Sequence, residues 1–226
     1  QGFYSSWGLA NGTLSAHFRN RDDTSAFYDA ERLSDFSIAQ HVKFVDIDGG
    51  EQNAQLFYYL RYQDDKNYYR VEIQNQAVIV GKMEAGIFTE IKRISGSALA
   101  QAYDSAFTSL RIFGTGTAAR DLGEFDIAIR VVGSVVEVSI DGKKVLVAKD
   151  TAGTFAEGNI GFAVAMDNGT ASFLNSMQFD DVTISRYVLA NQASYAYELI
   201  TPAIGGNAAI YRFSLANQTF TSGIDG

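Results

Sequence analysis

The stretch Ala54–Gln74, AQLFYYLRYQDDKNYYRVEIQ, decides the reading of this chain. It divides into two β-rich runs around the polar turn Gln63-Asp64-Asp65-Lys66-Asn67. Side chains on a strand alternate between faces with period two. On the first run Phe57, Tyr59 and Arg61 therefore share one face, and Leu56, Tyr58, Leu60 and Tyr62 share the other. Tyr68, Tyr69 and Arg70 open the return run. A hairpin with aromatic rings on both faces belongs inside a larger sheet, where at least one face is covered.

Working outward, the same grammar repeats. Phe36–Ile47 (FSIAQHVKFVDI) alternates, with Phe36, Ile38, Gln40, Val42, Phe44 and Asp46 on one side. Phe88–Ile94 alternates as well, and Phe125–Ile140 (FDIAIRVVGSVVEVSI) forms two strands around Gly133-Ser134. Asn11-Gly12 and Asp141-Gly142 are hairpin turns of the type that needs positive φ at both central residues. Thr108–Phe113 is a further strand candidate, Ser95–Ser105 suits a short helical turn, and His17–Arg32 reads as a charged loop with an aromatic insert at Phe27-Tyr28. Strands at short spacing, turn residues between them and no long helical period predict an all-β, two-sheet antiparallel jelly-roll sandwich.

Composition narrows the function. The 226 residues suffice for one β domain with a sizeable core, and 46% hydrophobic content excludes a disordered chain. A net charge of −8 argues against nucleic acid, whose phosphates require basic patches. No apolar run approaches the roughly 20 residues of a membrane-spanning helix. With no cysteine there is neither disulfide nor thiolate metal site. Low lysine, abundant Asn, Gln, Tyr, Ser and Gly, and Gln instead of Met at position 1 read as an exported protein, extracellular or at the cell surface.

The last residues differ. Residues 1–187 read as the jelly roll and 188–226 as a weakly charged, β-rich C-terminal extension, packing on the sandwich or on a neighbouring subunit. The segments Arg186-Tyr187-Val188-Leu189-Ala190-Asn191-Gln192 and Arg212-Phe213-Ser214-Leu215-Ala216-Asn217-Gln218 share five of seven identities. Two similar edge strands explain this echo. Self-association, with the extension lending strands to a neighbour, is the sharper alternative.

Several motifs resemble the concanavalin A-like, laminin-G-like jelly-roll superfamily. They are Trp7 with Asn11-Gly12-Thr13-Leu14, Leu60-Arg61-Tyr62-Gln63-Asp64 with Asn67-Tyr68-Tyr69, Val138-Ser139-Ile140-Asp141-Gly142, and Gly158-Asn159-Ile160-Gly161-Phe162 with Phe179-Asp180-Asp181-Val182. That superfamily includes carbohydrate-binding modules, lectins, adhesin domains, glycoside hydrolases and polysaccharide lyases, so the fold alone does not choose among them. The resemblance implies a structural calcium near Asp180 and Asp181, since family Asp-Asp pairs lie close to one; ordinary turn acids are the plainer account.

Sugar binding needs flat aromatic faces for a pyranose and amide, carboxylate or guanidinium groups for its hydroxyls. Tyr59, Arg61, Tyr69, Glu72 and Gln74 supply these types within one hairpin and form the candidate ligand site for a polysaccharide or glycoconjugate. The competing reading has Tyr59 and Tyr69 in the core and Arg61 at an edge. Enzyme signatures are weak. Glu124-Phe125-Asp126-Ile127 resembles half of the E-x-D-x-E strand of jelly-roll glucanases, but Ala128 stands where the second glutamate belongs. Gln40 and His41 are adjacent and face opposite ways, unlike the Gln-x-His strand of alginate lyases. The sequence favours a non-catalytic glycan-binding or adhesive domain. A structural subunit of an extracellular filament and a lyase with a Tyr/Arg site are the alternatives.

Overall fold

A computed structural model describes residues 6–10, 13–19, 24–46, 53–114, 121–166 and 174–187, together with the backbone of strands at 197–201, 209–213 and 220–224. Two antiparallel sheets face one another, as expected. The six-stranded sheet has the order β3 (Thr24–Leu33), β12 (Gly158–Met166), β5 (Ala54–Asp64), β6 (Asn67–Gln74), β7 (Ala77–Glu84), β8 (Ile87–Ser95). The ten-stranded sheet runs β11 (Lys143–Lys149), β10 (Val135–Ile140), β9 (Glu124–Val132), β4 (Phe36–Asp46), β13 (Leu174–Tyr187) and then β14 (Tyr197–Thr201), β15 (Ala209–Phe213) and β16 (Phe220–Ile224). The hairpin of β1 (Ser6–Ala10) and β2 (Thr13–Arg19) joins it through β13.

The core lies between the sheets. From the larger sheet come Phe36, Ile38, Val42 and Phe44 with Phe125, Ile127, Ile129 and Val131. The smaller sheet answers with Leu56, Tyr58 and Leu60, Tyr69, Val71 and Ile73, and Ile160, Phe162 and Val164. On β4 and β5 these are residues that the sequence placed on one face, and Gln40 joins them because its amide donates to the Tyr58 hydroxyl at 2.5 Å. The Asp141-Gly142 turn has φ of 48° and 72°, the mirror-image geometry its residues predict. Helix α1 (Gly96–Tyr103) occupies the predicted helical turn and buries Leu99 and Ala100. The Asn11-Gly12 turn lies outside the described residues.

Two expectations are corrected. The second half of the predicted 17–32 loop is β3, where pairing with β12 supplies the backbone partners that its polar sequence does not advertise. Thr108–Phe113 is not a strand. Its backbone makes a single bridge, Arg111 to Asp121, while Leu110, Ile112 and Phe113 plug the core from a loop. Burial without ladder pairing explains why its apolar pattern imitates a strand.

The larger departure is a bulge in β5. Arg61 adopts φ of 50°, and the β5–β6 register shifts between Leu60 and Asp64. Such an insertion turns successive side chains away from strict alternation. Arg61 thereby points inward and is 3% exposed, while Tyr62 moves outward beside Tyr59. The Arg61 Nε donates to the Ser34 carbonyl at 2.8 Å, Nη1 to the Phe155 carbonyl at 2.8 Å, and Nη2 to Asp35 Oδ1 at 3.2 Å. Gly158 of β12 seats the bulge, because a Cβ there would stand 2.3 Å from the Arg61 backbone carbon. Burial lowers the Arg61 pKa, with Asp35 opposing the shift.

In the C-terminal extension, β14, β15 and β16 pair in succession onto the last turn of β13, from Ile184 to Tyr187. The Cα positions of Arg186, Glu198 and Arg212 fall in register across β13, β14 and β15. Each copy of the echoed segment thus begins at the end of a strand.

Removing either half of the bulge is expected to be costly. Arg61→Met should lower stability by roughly 3–5 kcal/mol by stranding its acceptors, and Gly158→Ala should destabilise through backbone overlap. Urea unfolding of both variants checks this.

Candidate functional site

The outer face of the six-stranded sheet carries the chain's densest group of aromatic side chains among the described residues. The bulge at Arg61 creates it by sending Tyr62 to the side of Tyr59. Phe27 of β3 lies 5.7 Å from Tyr59 with near-parallel rings and 4.6 Å from Tyr62. Tyr68 forms the floor, 6% exposed, 5.0 Å edge-on from Tyr59 and 5.7 Å from Tyr62. Phe27 is 42% exposed, and Tyr59 and Tyr62 are partly open.

Register explains how the rings are laid out. Phe27, Gly161, Tyr59, Arg70 and Gly81 occupy one row across β3, β12, β5, β6 and β7. Both glycines leave room for rings. A Cβ on Gly161 would lie 2.5 Å from Phe27, and one on Gly81 would lie 2.4 Å from Phe88 of β8. Arg70 is held between Phe57 and Phe88, its guanidinium carbon 5.0 Å and 4.2 Å from their ring centres. Its Nη2 donates to Glu72 Oε2 at 2.9 Å, and the Gln74 amide donates to Glu72 Oε1. The result is an aromatic shelf beside a fixed cluster of guanidinium, carboxylate and amide.

The structure separates the five ligand residues proposed from sequence. Tyr59, Glu72 and Gln74 belong to this face. Arg61 and Tyr69 do not: both line a pocket of about 10 Å³ between the sheets, with Val80, Ile91, Val131, Val136 and Asp150. That is room for about one water molecule, not for a sugar ring. Strict alternation placed Arg61 with Tyr59, and the bulge reverses it. Sequence reasoning also missed Phe27, assigned to a loop, and Arg70 and Tyr62. The glycines Gly161 and Gly81 were a usable signal, since glycine inside a strand marks a close approach.

Tyr69 has a structural partner. Its hydroxyl donates to Asp150 Oδ2 at 2.7 Å. Burial first, and then this carboxylate, raise the Tyr69 pKa. Burial of Asp150 opposes its ionisation, but the Tyr69 hydroxyl, the Thr154 and Ala152 amides and the Thr154 hydroxyl outweigh it, holding the pKa at about 2. The remaining residues singled out from sequence sit on the larger sheet. Asp180 and Asp181 fall in a bulge of β13, where that strand exchanges β2 for β14 as neighbour; Asp181 has φ of 50° and its amide donates to Asp180 Oδ1 at 2.9 Å. Among the described residues no group of three or more His, Asp or Glu is arranged to hold a metal. His41 does point away from Gln40. It bridges Asp126 at 2.8 Å and Glu124 at 3.1 Å on the outer face, and the Asp126 hydrogen bond leads in raising its pKa.

No family model matches the sequence, and no curated protein matches it. Solved structures do match the fold. A carbohydrate-binding module, CBM66, from Bacillus subtilis aligns with a TM-score of 0.54 at 17% identity, over 80% of this chain and 91% of that one. A Bacillus subtilis protein of unknown function with a galectin-like fold gives 0.53 at 11% identity, over 80% and 86% of the two chains. A family 7 alginate lyase, A1-II′, gives 0.52 at 11% identity, over 82% and 84%. The chain has the concanavalin A-like lectin/glucanase jelly-roll fold. Carbohydrate-binding modules, galectins and glycan-active enzymes share that fold.

Two titrations test the polar networks. Asp150 has a depressed folded pKa, so its contribution is present above the unfolded value of 3.8 and is lost as pH falls through about 2. Asp150→Asn should cost on the order of 2 kcal/mol at pH 6, and the gap to wild type should close between pH 4 and 2 in urea unfolding. His41 has a raised folded pKa, so its contribution is complete below about 6.5 and fades as pH rises through the folded value. His41→Gln should therefore differ from wild type in melting temperature more at pH 5.5 than at pH 9.

Proposed function

We propose that this protein is a non-catalytic glycan-binding domain acting outside the cell or at its surface. Its ligand would lie on the outer face of the six-stranded sheet, against Phe27, Tyr59 and Tyr62. The observation that carries this reading is the row Phe27–Gly161–Tyr59–Arg70–Gly81, in which glycines hold rings against the sheet beside a fixed polar cluster. The C–H face of a pyranose is apolar and fits a ring, while its hydroxyls take hydrogen bonds from guanidinium and amide groups and donate to carboxylates. A rigid shelf loses little side-chain entropy on binding, which favours affinity.

Other features favour binding over chemistry. The Arg61 and Tyr69 pair, which a Tyr/Arg lyase would require on an open face, is enclosed and committed to structural hydrogen bonds. Gln40 is buried against Tyr58 while His41 faces the opposite side. Glu124 and Asp126 are tied to His41 and have Ala128 as their next neighbour on that face.

A glycan array probed with wild type should give hits that Tyr59→Ala and Phe27→Ala weaken by about tenfold each, equivalent to ~1.4 kcal/mol. Hits that persist at full strength in both variants would move the site elsewhere.

A further inference from the structure

The outer face also limits what kind of glycan it takes, an inference that rests on the binding role proposed above. The row Phe27–Gly161–Tyr59–Arg70–Gly81 continues in register to Glu90 of β8. The adjacent row is Ser25, Ala163, Phe57, Glu72, Ile79 and Arg93. Together the two rows hold two guanidiniums and two carboxylates. All four are paired: Arg70 with Glu72 at 2.9 Å, and Arg93 with Glu90 at 2.9 Å. Glu72 is 8% exposed, and its carboxylate is committed to Arg70 and to the Gln74 amide.

We infer that this face binds a neutral polysaccharide, lying across the strands from Phe27 to Phe88. A uronate carboxylate brought to Arg70 would meet a cation already neutralised by Glu72, with Glu90 nearby on β8. Displacing Glu72 would strand a buried carboxylate, which is costly. The net charge of −8 adds long-range repulsion. A neutral sugar meets none of these terms and uses the remaining guanidinium donors and the rings. Phe27 leans over Gly161 of β12 and Phe88 over Gly81 of β7, three strand spacings apart, or about 14 Å, so contact with both rings requires several linked sugar units.

The test is affinity electrophoresis of the full chain in gels containing β-glucan, galactan, mannan or fructan, and in gels containing polygalacturonate or alginate. Retardation by at least one neutral polymer, insensitive to salt, and by neither uronate is expected. Retardation by a uronate polymer overturns the inference and leaves the glycan-binding role intact. Retardation by nothing, joined with an empty glycan array, overturns both. For the neutral polymer that binds, its hexasaccharide should bind at least tenfold more tightly than its disaccharide in calorimetry, and Phe88→Ala should erase most of that gain. Equal affinities overturn the across-strand placement. Glu72→Gln should acquire salt-sensitive retardation by polygalacturonate. Should that variant melt early, Glu90→Gln frees Arg93 from a more exposed pair and is scored the same way. A folded variant that still ignores uronates overturns the charge-pairing account.

Discussion

The buried guanidinium of Arg61 is the constraint on which this structure turns. A charge taken out of water must find acceptors on several sides, and here they come from both sheets. Ser34 and Asp35 form the connection from β3 to β4, and Phe155 lies between β11 and β12. Asp35 Oδ1 also accepts the amide of Gly133 at 2.9 Å, in the β9–β10 turn. Arg61 and Asp35 together therefore tie three connections at one end of the sandwich. Reaching them demands the left-handed backbone at Arg61, and that backbone demands a glycine at 158.

The same bulge shapes the opposite face. Were β5 regular, Tyr62 would project into the core and Arg61 would stand among the rings. Instead the inserted residue returns Tyr62 to the outer face and completes the group of Phe27, Tyr59, Tyr62 and Tyr68. Small residues on β12, Gly161, Ala163 and Ala165, let side chains from β3 and β5 close over that strand. The sheet thereby gains an apolar outer layer in addition to its core, a pattern suited to a surface that meets a ligand.

The larger sheet uses its outer face differently. Its described polar groups on β4 and β9 join into short networks, His41 with Glu124 and Asp126, and Lys43 with Glu124 at 3.3 Å. Exposed pairs of this kind contribute modestly and are screened by salt. The bulge at Asp180 and Asp181 has a topological role, since it marks the point at which β13 leaves β2 and meets β14. An acidic pair at such a turn tolerates positive φ and bonds locally.

Period-two patterning was enough to read the sandwich, the shared face of β4, the strand pair β9–β10, the Asp141-Gly142 turn and the aromatic hairpin, because alternation reports which residues share a face. It also placed Tyr59, Glu72 and Gln74 on one strand pair, where the register at those positions is regular. The strand at Thr24–Leu33 was hidden because an edge strand needs backbone pairing more than apolar content. Leu110, Ile112 and Phe113 misled in the opposite direction, by being buried without pairing. The exchange of Arg61 for Tyr62 was decided only in three dimensions. A bulge is stabilised by acceptors 26 to 94 residues away in sequence, and no local pattern records them. The composition of the hairpin thus announced rings and guanidiniums on one strand pair, while the tertiary fold chose which of them face the solvent.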